Sequence, residues 1–499
     1  MEFDTKTAQF STADKNSFAY PSARDRWPVI LTQGIDDVHR ATAKATDPAV
    51  AAEGKQLVAD LARLKYELQH DRALTPLPED GLPDIAGYNT ELEQLKEKLG
   101  GQLKWFNAPW LYSECYLYRR MQGLFRLSTH WKSYDIFARQ KMATFRSSRA
   151  AVVELAAQYK DIVTQLEGKQ TLKNAKTPEE MTKAEEAVFI DMCEICLWGN
   201  ATDLSLLTNL SHDDLQKLQG SEARKASEDK ILVNDLSAAF KVLNAVQKSG
   251  KKERRVDFVL DNAGFELYVD LILAGYLLSV GLADAIVLHP KAIPWFVSDV
   301  VPQDFMDLLN ALADPKSFYE TPSDEEKDAG RAPPPLSAKE AEDLSFLFQR
   351  WAGFHAEGQL VIRPNTFWTE SGSFWRLPGT APNLYDDLKE SELCIFKGDL
   401  NYRKLTADAM WDPTTPFSDA IGPLGPESNL RVLALRTCKG DVVVGLPDGK
   451  DEELRAMAAG PGPYDRWEKG IKDSGLEARK WAWSGKWAVI QFSDGKTAA

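Results

Sequence analysis

The chain has 499 residues, enough for two or more domains or for one large α/β core with an added helical part. Hydrophobic residues make up 43% and charged residues 27%, the balance of a globular protein, which excludes a largely disordered chain. Sixty Lys and Arg against 74 Asp and Glu give a net charge of −14, which argues against a nucleic-acid-binding protein but permits a local basic site for an anionic substrate.

The beginning of the sequence, Met1 to Asp14, contains no positive stretch followed by an apolar core, so we expect no signal peptide. The longest apolar stretch, Leu267 to Leu282, is interrupted by Asp270 and Gly275, so no membrane span is predicted. Five cysteines are too few for a disulfide framework. We therefore expect a soluble, reduced protein in the cytoplasm, with the nucleus as a second location, and neither nucleic acid nor membrane as a partner.

Residues 1–200 are predicted to form a helical N-terminal domain. Apolar residues recur at three- and four-residue spacing in Ala150 to Leu166 and in Lys183 to Leu197, which is the period of an amphipathic helix. Trp105 to Phe125 is rich in aromatic residues and carries Arg119 and Arg120. Strand-like runs are scarce in this part of the chain.

The pattern changes near Val256, where short β-rich runs begin to alternate with helical stretches. This alternation is typical of an α/β sheet, so residues 201–499 are predicted to form an α/β domain. The predicted strands are Val256 to Leu260, Ala285 to Leu288, Leu393 to Phe396, Val432 to Thr437, Asp441 to Val444 and Trp487 to Phe492. Helices are predicted at Phe265 to Leu278 and at Gln303 to Ala313. Surface insertions are predicted at Pro315 to Ala338 and at Pro447 to Tyr464.

The first candidate site follows the first of these strands, which ends abruptly in Asp261 and Asn262 before Gly264 and a helix. Open α/β sheets bind ligands at the carboxyl ends of their strands. Asp and Asn present hard oxygen ligands there, which suit magnesium or manganese, and the helix offers backbone N–H groups to a phosphate. The alternative is that Asn262 simply caps the helix.

A second acidic strand end follows Ala285 to Leu288, where the chain leads through Lys291 to Asp299. Asp299 alone is most simply a helix cap. Because neighbouring strand ends bring their side chains together, however, Asp261, Asn262 and Asp299 make a plausible site for a divalent metal.

Two further strand ends carry cations. Leu393 to Phe396 leads into Lys397, Gly398, Asp399, Leu400, Asn401, Tyr402, Arg403 and Lys404, and Val432 to Leu435 leads into Arg436, Thr437, Cys438 and Lys439. Each basic cluster alone is most simply a solvated turn. A metal on one side and Lys or Arg on the other is nevertheless what phosphoryl transfer requires, because the charge on the phosphoryl oxygens must be neutralised.

A polar patch precedes the predicted sheet at Trp198 to Ser205. Its Asn200 and Asp203 are spaced for one face of a turn or of the start of a helix. A role at the site and a capped helix-to-helix junction explain this patch equally well.

Several sharper motifs are absent from the sequence. It has no GxxxxGK[ST] loop, no DxD nucleophile pattern, no cysteine followed six residues later by arginine, and no glycine-rich dinucleotide or adenosylmethionine fingerprint after a strand. Cys193 and Cys196 form a single CxxC in a helical context, which favours two core cysteines over a zinc site.

Together these segments resemble the damage-control phosphatases, also known as the domain of unknown function 89 family. The resemblance rests on GNATDLS at Gly199 to Ser205, LDNAGFEL at Leu260 to Leu267, KAIPWFVSD at Lys291 to Asp299, KGDLNYRKL at Lys397 to Leu405 and RTCK at Arg436 to Lys439. These five motifs occur in order along most of the chain. The RTxK signature and ECYLYRR at Glu114 to Arg120 are similar to the subfamily of fungi and animals.

The resemblance implies a Rossmann-like α/β/α sandwich with a helical N-terminal domain. We expect the protein to be a monomer. It implies a divalent metal, such as Mn, Co, Ni or Mg, held by Asp261, Asn262 and Asp299. Those three residues and Lys439 are the catalytic residues that it implies. The implied substrate-binding residues are Asp261, Asn262, Glu266, Asp299, Asp399, Leu400, Asn401, Tyr402, Arg403 and Lys439.

The function that follows is metal-assisted hydrolysis of small sugar phosphates such as fructose 1-phosphate and fructose 6-phosphate. Lys439, with Arg403 or Lys404, would neutralise the phosphoryl oxygens, and the nucleophile is either a water activated at the metal or an Asp carboxylate. The subfamily has also been described as containing a carboxyl methyltransferase that uses adenosylmethionine on protein glutamates, which is the alternative function. A non-catalytic scaffold is a third hypothesis, but the acidic site residues that a scaffold would lose are all present.

Overall fold

A seven-stranded sheet forms the centre of the protein. The computed structural model describes residues 3–167, 177–199, 228–322, 326–327, 330, 332–457 and 479–496. The strands are β1 Ile231–Asn234, β2 Arg255–Val259, β3 Ala285–His289, β4 Leu360–Ile362, β5 Leu393–Lys397, β6 Arg431–Thr437 and β7 Ala488–Asp494. They lie in the order β1-β7-β6-β5-β2-β3-β4. All neighbouring pairs are parallel except β6 and β7, which are antiparallel.

Helices surround this sheet. Short turns at Ala19–Pro21 and Ser22–Arg26 lead into the first long helix. The helices that precede the sheet are α1 Trp27–Lys44, α2 Pro48–Gln69, α3 Ile85–Leu99, α4 Trp110–Arg126, α5 Ala138–Ser147, α6 Arg149–Glu167 and α7 Pro178–Gly199. Those that alternate with its strands are α8 Leu236–Lys248, α9 Phe265–Ser279, α10 Pro302–Ala313, α11 Pro315–Glu320, α12 Ala338–Ala356, α13 Leu377–Thr380, α14 Pro382–Lys389, α15 Gly398–Leu405, α16 Phe417–Ala420 and α17 Lys450–Ala456. Among the described residues, no helix is both long and apolar enough to span a membrane.

The two faces of the sheet are buried in two separate apolar clusters. In β2, Val256 and Phe258 belong to the cluster that contains α6 to α10 and α12, whereas Val259 belongs to the cluster that contains α1 to α4. Side chains of successive strand residues point to opposite faces, so both faces of the sheet are covered by helices. This three-layered arrangement confirms the predicted α/β class with a helical N-terminal part.

The N-terminal helices contribute to both outer layers. While α1 to α4 lie on one side of the sheet, α6 and α7 pack against α9 on the other. Glycines permit this close packing: a Cβ on Gly275 of α9 would lie 2.4 Å from the Tyr159 hydroxyl of α6, and one on Gly199 of α7 would lie 2.3 Å from Val269. The helical residues before the sheet are therefore part of the core that supports its strands.

The predicted strand Asp441 to Val444 is wrong. The backbone of this buried segment is satisfied by side chains instead of a neighbouring strand: Val444 N–H donates to the Tyr402 hydroxyl at 3.3 Å, and the Val444 carbonyl accepts from Gln491 at 2.7 Å. The short strands β1 and β4 were not predicted from the sequence. The two predicted insertions contain helices α11 and α17, and Tyr319 of α11 is buried.

Candidate metal and phosphate site

The residues that follow β2 and β3 form a narrow antiparallel ribbon. Asn262 and Asp299 are opposite each other in this ribbon, because Ala263 N–H donates to Ser298 O at 2.6 Å and Val300 N–H donates to Asp261 O at 2.8 Å. Directly opposed residues of this kind have their side chains on the same face and close together. The structure thus brings together Asp261, Asn262 and Asp299, and all three side chains are buried.

The Asn262 amide is oriented by its neighbours. Its Nδ2 donates to Glu266 Oε2 at 2.7 Å and to Asp261 Oδ2 at 2.9 Å, and its Oδ1 accepts from the Ser298 hydroxyl at 2.5 Å. Glu266 lies in the first turn of α9, where a negative charge is stabilised by the helix N-terminus. These contacts turn the amide oxygen of Asn262 towards the segment that carries Asp299.

The segment just before Asp299 has a strained backbone. Phe296 and Val297 have φ angles of 41° and 68°, which are rare for residues with a Cβ and rarest for β-branched ones. Phe296 stacks on Tyr118 of α4 with ring centres 4.5 Å apart, so the N-terminal helices hold this turn in place. Backbone strain of this kind concentrates at functional sites, where the surrounding structure enforces it.

Gly264, between Asn262 and α9, has the backbone angles φ 69° and ψ −122°, a conformation that only glycine adopts readily. There is room for a methyl group, since the nearest atom to a Cβ would be the Lys141 carbonyl oxygen at 3.4 Å. A Gly264→Ala substitution is therefore expected to cost about 1–3 kcal/mol of unfolding free energy through backbone strain alone.

Denaturant titration of wild type and Gly264→Ala measures this loss of unfolding free energy. The control is Gly87→Ala at an exposed position of α3 with nothing within 4 Å of the new Cβ, where alanine should be neutral or stabilising. Equal midpoints for wild type and Gly264→Ala would show that the strain is absent.

A lysine connects the acidic strand ends to α15. Lys291 Nζ lies 3.5 Å from Asp299 Oδ2 and donates to Leu260 O at 2.8 Å and to Asn401 Oδ1 at 3.1 Å. Asn401 Nδ2 in turn donates to the carbonyls of Val259, Leu260 and Lys397 at 2.7–3.2 Å. The Asn401 side chain therefore joins the ends of β2 and β5, and its predicted role in binding substrate stays a prediction.

A second buried lysine lies behind Asn262. Lys397 Nζ donates to Asp270 Oδ1 at 2.7 Å, to Glu266 Oε1 at 3.1 Å and to the Cys196 carbonyl at 3.1 Å. Burial raises the pKa of Asp270 to about 6 even though Lys397 opposes that shift. Cys196 is a buried thiol that donates to Asp270 Oδ1 at 3.1 Å, and Cys193 is buried beside it, as expected for core cysteines.

The turn after β6 is organised by Asp399. Its Oδ1 accepts from Arg436 Nε at 2.7 Å and from the Lys439 backbone N–H at 3.0 Å. Arg436 also donates to Gly440 O at 3.0 Å and lies 4.2 Å from the centre of the Tyr402 ring. Asp399 thus fixes the backbone at Lys439, and the Lys439 side chain is buried at the same edge of the sheet.

Arg403 is committed to other protein groups. Its guanidinium donates to both Asp408 oxygens at 2.9–3.0 Å and to Glu114 Oε2 at 2.8 Å, and it stacks 3.6 Å from the Trp110 ring centre. Tyr402 donates its hydroxyl to Gln491 at 2.7 Å, and Leu400 is buried in the apolar core. These three predicted substrate residues have inward-facing contacts within the protein.

Glu114 of α4 is a site residue whose role the sequence analysis missed. It lies between Arg26 and Arg403, is fully buried and also accepts from Trp27 Nε1 at 3.1 Å. Burial opposes ionisation of Glu114, but Arg26 and Arg403 outweigh it and lower the pKa. Lys291 and Lys397 were recognised as members of motifs that follow strands, but their contacts with Asp299 and with Glu266 and Asp270 were not predicted.

The side chains present fit a divalent cation. Asp261 and Asp299 offer carboxylate oxygens and Asn262 an amide oxygen, which are the hard donors that Mg²⁺ or Mn²⁺ prefers. Within the described ranges no three His, Cys, Asp or Glu side chains cluster as a metal site. A metal at this position would therefore be held by two carboxylates and one amide. The predicted contributors Asn200 and Asp203 lie outside the described residues.

Comparison with known proteins gives consistent matches. The family described as the damage-control phosphatase ARMT1-like domain matches residues 22–454. The chain is 35% identical to damage-control phosphatase ARMT1 of Xenopus laevis, covering 97% of this chain and 98% of that protein. The protein of the same name from Danio rerio is 34% identical, over 96% of this chain and 95% of that protein. The protein of the same name from Homo sapiens is 33% identical, over 90% of this chain and 94% of that protein. A solved structure of a DUF89 family protein from Pyrococcus horikoshii aligns with a TM-score of 0.36 at 14% identity, over 74% of this chain and 86% of that one.

Proposed function

The chain belongs to the damage-control phosphatase ARMT1-like family, and on this basis we propose that it hydrolyses phosphate monoesters of small sugars with a divalent metal. The observation that carries the proposal is the meeting of Asp261, Asn262 and Asp299 at the carboxyl ends of β2 and β3. Buried cations follow the neighbouring strands β5 and β6 at the same edge. Acidic metal ligands beside cations are what phosphoryl transfer requires.

The acidic side of the site would hold the cation. A divalent metal bound by Asp261, Asn262 and Asp299 would supply Lewis-acid activation of a phosphoryl oxygen. Glu266 and Ser298 keep the Asn262 amide in the orientation that offers its oxygen. Lys291, 3.5 Å from Asp299, limits the negative charge that accumulates there before substrate binds.

The basic side of the site would bind the remaining phosphoryl oxygens. Lys439 is the first candidate, because Asp399 fixes its backbone and its buried ammonium suits a charge-assisted contact with phosphate. A second cation from α15 completes the arrangement. Fructose 1-phosphate and fructose 6-phosphate are the substrates to test first, with the nucleophile being either water or the carboxylate of Asp261 or Asp299.

The proposal predicts metal-dependent turnover. Purified protein stripped with a chelator should release phosphate from sugar phosphates only after Mn²⁺, Co²⁺, Ni²⁺ or Mg²⁺ is added back, because no protein cation replaces the Lewis acid. The measurement is a phosphate-release screen over sugar phosphates and the four metals. Activity that persists in excess chelator would contradict the metal role, and no activity with any combination would contradict the phosphatase role.

The methyltransferase alternative lacks a matching structural feature. In the described part of the chain, the loops that follow β1, β2, β3, β5 and β6 carry only isolated glycines and no glycine-rich turn that could cradle an adenosylmethionine. Calorimetry with adenosylmethionine in the absence of metal separates the two functions, since tight binding would favour the methyltransferase.

A further inference from the structure

Lys404 is a buried cation that forms no direct ion pair with any described carboxylate. Its Nζ donates to the carbonyl oxygen of Glu370 at 2.5 Å and lies 5.4 Å from the centre of the Phe374 ring. Among the described residues no carboxylate oxygen lies within 4.0 Å of this ammonium. Burial of a charged group without a partner is costly, so the protein maintains an unfavourable arrangement at this position.

The other buried cations nearby are neutralised by carboxylates. Lys397 contacts Glu266 and Asp270, Lys141 contacts Asp135 and Asp304, and Arg403 contacts Glu114 and Asp408. Lys404 differs from all three. Its neighbour Cys115 does not compensate, because burial raises the pKa of that thiol to about 12 and keeps it neutral. The Glu370 carboxylate acts on Lys404 from beyond ion-pair distance, and burial raises the pKa of Glu370.

Lys404 lies on the side of α15 that faces the candidate site. Lys397, Asn401 and Lys404 are spaced by four and three residues, which places them on one face of the helix. Asn401 on this face is bound by Lys291, whose ammonium is 3.5 Å from Asp299. Burial lowers the pKa of Lys404, and the nearby positive charge of Lys291 adds to this shift. Two ammonium groups are therefore near each other beside the acidic residues.

We propose that Lys404, not Arg403, is the cation of α15 that binds the phosphoryl group of the substrate, with Lys291 as the second positive charge beside it. This inference rests on the proposed phosphatase function and identifies which residue performs its anion-binding step. Arg403 already uses three of its N–H donors on Asp408 and Glu114, and these two carboxylates neutralise its charge. Lys404 has a charge that an incoming phosphate dianion would neutralise, forming charge-assisted hydrogen bonds in a buried setting.

The test compares wild type with Lys404→Met, using the exposed Lys55→Met in α2 as a matched control. Inorganic phosphate binding is measured by calorimetry with Mn²⁺ present, and thermal unfolding is measured without phosphate. Lys404→Met should weaken phosphate binding roughly ten- to a hundred-fold. It should unfold at the same temperature or higher, because an uncompensated buried charge has been removed. Lys55→Met should change neither quantity.

The outcomes separate this inference from the proposed function. A Lys404→Met protein that binds phosphate like wild type but unfolds at a lower temperature would show a structural role and overturn the inference alone. Weaker phosphate binding by Lys404→Met would support it even if wild type proved unable to hydrolyse any sugar phosphate. A wild-type protein that neither binds phosphate nor hydrolyses a phosphate monoester would overturn both proposals.

Discussion

Asp261→Asn is expected to lower the metal-dependent phosphatase rate by about a hundred- to a thousand-fold, the effect of losing several kcal/mol of transition-state stabilisation. The substitution keeps the size and shape of the side chain, and an amide oxygen can still accept from Asn262 Nδ2, now 2.9 Å from Asp261 Oδ2. What it removes is one of the two negative charges that would hold the cation. The loss should therefore appear in metal affinity and turnover while the fold is retained.

The measurement is an initial-rate titration with each metal, together with circular dichroism to confirm folding. The matched control is Asp386→Asn, the same chemical change at an exposed carboxylate of α14 that pairs with the partly exposed Lys389. It should keep the wild-type rate. A folded Asp261→Asn protein with full metal-dependent activity would show that the metal site has been assigned to the wrong residues.

Glu114→Gln is expected to lower the free energy of unfolding by about 3–5 kcal/mol, the usual cost of removing one partner from a buried ion pair. Glu114 and the Arg26 side chain with which it pairs are both almost completely buried, and Arg403 contacts its other oxygen at 2.8 Å. Glutamine would leave two guanidinium groups with one counter-charge fewer between them. Because Arg403 belongs to α15, loss of its contact with Glu114 should also perturb the candidate site.

Chemical denaturation followed by tryptophan fluorescence gives the midpoint for each variant. The control is Glu67→Gln, which breaks the Arg120 pair between α2 and α4, where both side chains retain about a fifth of their exposure (18% and 23%). That pair should contribute about 1 kcal/mol or less. If the two variants shift the midpoint equally, then the Glu114 pair contributes no more than a surface pair. That result would contradict the prediction that the contact between Glu114 of α4 and Arg403 of α15 stabilises the fold.

The family resemblance and the α/β class were predicted from the sequence and are confirmed. The central strands β2, β3, β5 and β6 were predicted to within one or two residues, because strands buried on both faces read as continuous apolar runs that end in polar residues. β1 and β4 consist of only four and three residues, too few to give a clear pattern. The segment Asp441 to Val444 has the composition of a strand, but distant side chains satisfy its backbone.

The site was only partly predictable for a similar reason. Asp261, Asn262 and Asp299 follow strands directly, so the parallel topology predicts that they meet, and their role as metal ligands stays a prediction. The role of Arg403 depends on Glu114, 289 residues earlier in the chain. No local pattern shows that this arginine is already paired while the adjacent Lys404 is not. Side-chain contacts between distant segments decide which cation remains for a ligand.

The position of β7 has a consequence for how the protein forms during synthesis. β7 lies between β1 and β6, and β1 pairs with no other strand of the described sheet. About half of the chain separates Asn234 from Ala488, so β1 leaves the ribosome long before its partner is made, at roughly 5–20 residues per second. The nascent chain must therefore keep β1 and the edge of β6 from pairing wrongly until β7 has been synthesised. Chaperone dependence and a closing step that waits for the synthesis of β7 are the expected signs of this topology.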